Sequence, residues 1–170
     1  MGDAVPSRAK VWRRRAVEAL ILVIVIVGIR AWQQRDVVSG AVPALAGSLL
    51  DGSAYVLPAG RPVLVHFWAT WCPVCSAEQG SIQSVSQGDY EVVTVAMQSG
   101  SPADVGRHMA GQRLDFPVLN DADGRISAAW GVHAVPASFI VGRDGQIRFV
   151  EIGYTTEIGL RLRLWLAENF

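Results

Sequence analysis

The chain has 170 residues, with 15 Lys and Arg against 15 Asp and Glu, and a mean hydropathy of +0.28; that length suits one compact domain with an appendage. Residues 1–15 carry five cations, Arg8, Lys10, Arg13, Arg14 and Arg15, against Asp3, whereas residues 36–170 carry eight arginines against thirteen acids, which argues against nucleic acid binding by the body and for a membrane role of the tip. Both cysteines, Cys72 and Cys75, fall in one motif, so no separate structural disulfide is available and the core must rely on apolar burial.

Residues 1–15 read as a basic cytoplasmic tip and residues 16–32 as a transmembrane signal-anchor. The dense apolar run 19–29 is shorter than the roughly 20 residues a spanning helix needs, so Val17, Ala31 and Trp32 contribute and Arg30 snorkels. The cations ahead of it keep the N-terminus in the cytoplasm and send the rest of the chain across. A cleavable signal peptide is the alternative; its best cleavage pattern, Val38-Ser39-Gly40 before Ala41, lies far on, and the uncleaved anchor is preferred. Residues 33–44 are polar, then small and proline-containing, and read as a tether; the domain spans 45–170.

Residues 49–57 predict a hairpin, with Asp51-Gly52 supplying a tight turn between apolar flanks. The run 62–68 is almost continuously apolar and predicts a buried strand. Pro73 then suits the first turn of a helix that fades near Gly88. Residues 90–97 form a second interior strand, and Ser101-Pro102-Ala103-Asp104 start a helix reaching about Ala110. Residues 116–119 are a short extended piece. Asp121 and Asp123 resemble the opening of a calcium loop, but the later ligands are missing, so they read as turn residues leading into a short helix, 126–130. Residues 137–141 and 147–152 flank Asp144-Gly145 as a hairpin. In the last helix, 157–168 with Thr155 or Thr156 as cap, Ile158, Leu162, Trp165 and Leu166 form a stripe expected to dock on the sheet. The expected fold is α/β, a mixed central sheet with helices on both faces and a hairpin extension at the N-terminal side.

The chemistry concentrates at Cys72-Pro73-Val74-Cys75. A helix starting at Pro73 places Cys72 at its N-terminal end, where unpaired N–H groups and the helix dipole favour a thiolate. Cys75, one turn on, lies close enough to attack a mixed disulfide on Cys72. Cys72 is thus the expected nucleophile and Cys75 the resolving thiol. The pair also has blander readings. One is two inert buried cysteines. Another is half of a zinc knuckle, for which no second C-x-x-C or His-x-x-x-His completes four ligands. A Cu(I)-binding module is a third, since soft thiolates suit the ion, but Trp71 and Pro73 crowd the pair and no methionine lies close in sequence.

Residues 67–75 together with Val135-Pro136 resemble the thioredoxin fold, and more narrowly the membrane-tethered TlpA, ResA and CcmG group of extracytoplasmic thiol-disulfide oxidoreductases, over about residues 45–170. The Pro-Val dipeptide, residues 116–124 and residues 160–165 look most like the suppressor-of-copper-sensitivity D proteins. The resemblance implies a cis-proline at Pro136, with the Val135 backbone offered to a substrate strand beside Cys72. It implies a proton-handling acid at Glu78, for which a solvated helix residue is the bland alternative, and a shielding, surface-shaping tryptophan at Trp71. His66 departs from the aspartate or asparagine of these families. It could assist deprotonation of Cys75 or be a neutral core histidine, and His133 carries no assigned role. The group further implies a monomer with its catalytic domain in the periplasm and its single-pass anchor in the bacterial inner membrane. Clients would be proteins with thiols or disulfides, as in copper stress or cytochrome c maturation. Reducing equivalents would come from a membrane donor of the DsbD or CcdA kind, with no metal and no cofactor beyond the cysteine pair. An oxidase or isomerase is the alternative direction.

Overall fold

β-branched and aromatic residues in unbroken runs need neighbours on both sides, and the central strands obtain them. In a computed structural model, which describes residues 12, 15, 17, 18, 20–22, 24, 25 and 40–170, β1 (Gly40–Ala41) precedes a hairpin of β2 (Ala46–Ser48) and β3 (Ala54–Val56). Then follow β4 (Val63–Trp68), α1 (Pro73–Ser86), β5 (Glu91–Met97), α2 (Pro102–Gln112), β6 (Val118–Asp121), α3 (Arg125–Ala129), β7 (Ala137–Val141), β8 (Gln146–Ile152) and α4 (Glu157–Asn169). The large sheet has the order β1-β8-β7-β4-β5-β6. β4 runs parallel to β5, and β5 to β6, while β7 is antiparallel to both β4 and β8. All six residues of β4 are buried, as a strand covered on both faces requires.

The period of two splits β4 between two cores. Leu64 and Trp68 pack with Ile82 and Val85 of α1, Val105 and Met109 of α2, and Leu160 and Leu164 of α4. Val63, Val65 and Phe67 pack on the other face with Trp130, Phe139 and Leu45. There Phe67, Trp130 and Phe139 form an aromatic triad with ring centroids 5.1–5.6 Å apart. The mixed sheet with helices is as expected, with the longer helices on the α1 face and α3 and the hairpin on the other.

Three expectations change. The hairpin has no two-residue turn at Asp51-Gly52: its strands lie at 46–48 and 54–56, with a five-residue loop closed by Leu49 N–H on Ser53 O. Gly52 supplies a φ of +86°, and the Asp51 carboxylate accepts from Ser53 N–H and Oγ. Within the stretch read as tether, Gly40 and Ala41 pair with Ile147 and Gln146 as an edge strand. In α4 three of the four residues of the expected docking stripe are exposed, and only Leu166 is half-buried. Leu160, Leu164 and Ala167 are buried, whereas Ile158 is 80% exposed and Leu162 and Trp165 are also exposed. The helix is apolar on two sides, and its arginines select between them, since Arg161 binds Glu157 and Ser84 and Arg163 binds Glu151.

Residues 1–36 and 37–170 form separate units. The anchor expected over 16–32 lies largely outside the described residues. Those of it that are described, among them Val17, Leu20 and Val25, are helical and exposed. Among the described residues no helix is long and apolar enough to cross a membrane.

Candidate active site

β4 delivers the chain to the site and α1 receives it. Thr70 N–H is held by Ser99 Oγ, which itself donates to Met97 O, and Cys72 N–H donates to Ala69 O. These bonds fix the turn, and Pro73 opens α1 at a position where its missing N–H is no loss.

Cys72 is the N-cap of α1. Its Sγ accepts from Cys75 N–H at 3.1 Å, and it forms a disulfide with Cys75, Cα to Cα 5.3 Å. The two sulfur-bearing residues differ in access: Cys72 retains 5% exposure and Cys75 none. The Val135–Pro136 bond is cis, and Val135 O lies 3.6 Å from Cys72 Sγ. The structure therefore brings Val135 and Pro136 alongside a pair more than sixty residues earlier. Trp71 stands beside them 60% exposed, but its indole N–H donates to Gln98 O at 3.1 Å, so the ring is a fixed wall. Gln98 itself takes a φ of +44°, uncommon for a residue with a side chain.

Glu78 lies one turn beyond Cys75 on the same side of α1, fully buried. Its Oε1 accepts from Thr155 N–H at 3.2 Å, and its Oε2 has no partner. Burial raises its pKa to about 7, the Thr155 bond only partly opposing this. The bland reading of Glu78 as a solvated helix residue is thereby removed. His66 is also buried, on the α1 face of β4 between Ser138 and Thr94 of the neighbouring strands. Its Nδ1 pairs with Ser138 Oγ at 2.9 Å and its Nε2 has no partner, and burial lowers its pKa to about 3. The ring is therefore neutral and only weakly basic at any pH where thiols exchange, which favours the hydrogen-bonded core histidine over a base for Cys75.

Sequence reasoning missed the loop between β8 and α4. Gly153 N–H donates to Pro136 O at 2.8 Å, and two residues on Thr155 N–H holds Glu78. One short loop thus ties the cis-proline to the buried acid, through backbone donors that leave no residue-type signal. His108 of α2, also unremarked, contacts buried Gln79 at 3.2 Å and packs on Trp68. His133 is exposed just before Val135. Among the described residues no group of three His, Cys, Asp or Glu side chains is arranged to hold a metal.

The arrangement is one of a redox pair at a helix start with a backbone carbonyl beside it. Residues 38–160 match the Redoxin family. The chain is 31% identical over 150 residues to a thioredoxin-like protein of Haemophilus influenzae, covering 86% of this chain and 89% of that one. It is 31% identical over 118 residues to the thiol:disulfide interchange protein DsbE of Escherichia coli K12, covering 68% and 60%. The crystal structure of StoA from Bacillus subtilis matches with a TM-score of 0.63 at 25% identity, over 73% of this chain and 96% of StoA. The chain belongs to the Redoxin family and is a thioredoxin-like protein-disulfide oxidoreductase.

Proposed function

We propose that the chain is a membrane-anchored, extracytoplasmic reductant of client disulfides, in which Cys72 attacks and Cys75 resolves. The observation that carries the roles is the unequal access of the two sulfurs at the head of α1, with Cys72 capped by Cys75 N–H and next to the Val135 carbonyl. In the dithiol form, the Cys72 thiolate attacks one client sulfur and releases the other as a thiolate. Cys75, having given up its proton, then attacks Cys72 Sγ and releases the second client thiolate. The client gains two electrons and the pair becomes the disulfide. Glu78, near neutrality in pKa and one turn from Cys75, is the group assigned to take that proton. His66, held neutral, contributes packing and its Ser138 bond. Trp71 and Pro73 shape the rim, and Val135 with Pro136 offers a backbone edge to the client. No metal or diffusible cofactor enters the cycle.

Direction follows from what stabilises the reduced form. An oxidant needs a strongly favoured thiolate, yet residues 69–79 contain no cation and buried His66 supplies none. The helix N-terminus alone supports the Cys72 thiolate, which favours a reductant, as does the likeness to the TlpA, ResA and CcmG group. The cations before the apolar stretch support an anchor with the domain outside the cytoplasm. A relative in Mycobacterium tuberculosis, 36% identical over 109 residues, is named a soluble secreted antigen. Within this reading the chain groups with the suppressor-of-copper-sensitivity D proteins, it is a monomer, the clients are proteins damaged in copper stress or maturing c-type cytochromes, and the donor is a membrane protein of the DsbD or CcdA kind. Equilibrating the Cys72–Cys75 pair against glutathione tests the direction. A potential below the roughly −230 mV glutaredoxin range is expected, and one near the about −120 mV of strong oxidants would reverse the assignment.

A further inference from the structure

α4 is inverted in its use of charge. Glu157 and Arg161 bind each other and Ser84 of α1, and Arg163 binds Glu151 of β8. The charged side chains of its middle are thus spent within the domain while Ile158, Leu162 and Trp165 face water. Their spacing of four and three is that of a helix–helix seam, with Asn169 at the next position. Apolar groups left out of a core while ion pairs are drawn in mark a surface meant for a partner.

The loop that leads into the seam is tied to the redox site. Tyr154, in the loop ahead of α4, is exposed and is flanked by Gly153, bonded to Pro136, and Thr155, bonded to Glu78. From that loop the chain enters a 13-residue helix, about 20 Å at 1.5 Å per residue, whose exposed apolar residues begin at Ile158.

We propose that α4 is a docking rail for a redox partner of the Cys72–Cys75 pair, one that presents an uncharged apolar helix beside its reacting cysteine. The proposal rests on the exchange chemistry assigned above and adds the class of partner. The rail holds the partner's helix against Ile158, Leu162 and Trp165 while its cysteine reaches Cys72, and with no charge in the seam the encounter varies little with salt.

The test uses the full chain in detergent micelles, reduced and desalted, in single turnover against three disulfides. These are hydroxyethyl disulfide, a peptide disulfide with an adjoining leucine-faced helix, and the same peptide with glutamates on that face. The leucine peptide is expected to react about tenfold faster than the glutamate peptide, and the Leu162→Ser/Trp165→Ser variant to lose that advantage, as removing two interface anchors does. Its unchanged rate with hydroxyethyl disulfide shows that the variant is folded. Equal rates of variant and wild type on the leucine peptide would overturn the rail. So would that result accompanied by loss of vesicle binding or of self-association, which would assign the seam to lipid or to a second copy. A wild type inert to hydroxyethyl disulfide would overturn the exchange chemistry itself, and the rail with it.

Discussion

A carboxylate with one oxygen bonded and the other buried without a partner is poised between its two forms, and Glu78 is in that state. Desolvation disfavours the charge and the Thr155 N–H favours it; desolvation dominates, which holds the pKa at about 7. Such a group takes a proton from a neighbouring thiol at neutral pH, which an ordinary glutamate, already ionised and weakly basic, does poorly. Glu78→Gln keeps the shape and the capacity to accept from Thr155 but removes the base. Resolution of the mixed disulfide should slow by about a hundredfold at pH 7, the low end for general-base catalysis, and should lose an inflection near pH 7 that the wild type shows. Stopped-flow fluorescence across pH 5–9 reads both effects, and an unchanged inflection would assign the proton to another group.

At the scale of elements, α3 is one turn long and without a side-chain cap at Gly124, yet it must set Trp130 into the aromatic triad beneath β4. Asp121, at the end of β6, holds it. Its buried carboxylate accepts from Ile126 N–H at 3.0 Å, Ser127 N–H at 2.8 Å and Ser127 Oγ at 2.6 Å. Asp121→Ala leaves these donors without an acceptor, at a cost of about 2–3 kcal/mol, seen as a lower urea midpoint with an unchanged slope. A loss under about 0.5 kcal/mol would show that water replaces the carboxylate.

Asp121 also marks what a sequence conceals: Asp-x-Asp-Gly spells a turn, but nothing in it says that the first aspartate is buried. Strands β4, β5 and β7 were legible because a strand covered on both faces becomes an uninterrupted apolar run. α1 was legible from Pro73, and α2 from Ser101 and Asp104, whose side chains form a reciprocal capping box. β1 was not, because two residues carry no period. Nor was the orientation of α4, because a helix apolar on two sides is oriented by the partners of Arg161 and Arg163, which lie some 77 and 12 residues away in sequence at Ser84 and Glu151. In the site, Cys72 and Cys75 announce themselves by spacing. The burial of Glu78 and the clasp of Gly153 and Thr155 depend on where a loop lands.

For the whole molecule, Glu78 and His66 set opposing pH dependences. Glu78 titrates at about 7 when folded against an ordinary 4.5, so the folded state holds the extra proton; its stability contribution is full below 4.5 and is lost as pH rises to 7. His66 titrates at about 3 when folded against an ordinary 6.5; its contribution is full above 6.5 and is lost as pH falls towards 3. Between pH 4.5 and 6.5 the two slopes, each about 1.4 kcal/mol per pH unit, largely cancel. In that window Glu78→Gln removes the falling slope, so its stability relative to wild type rises with pH, whereas His66→Asn removes the rising one and its relative stability falls. Exposed carboxylates such as Asp51 and Asp104 are common to all three proteins and drop out of the differences. Urea unfolding of the oxidised forms at pH 4.5, 5.5 and 6.5 measures the divergence. If Glu78→Gln runs parallel to wild type across that range, Glu78 is ionised in the folded protein, and its assignment as the proton acceptor fails with the slope.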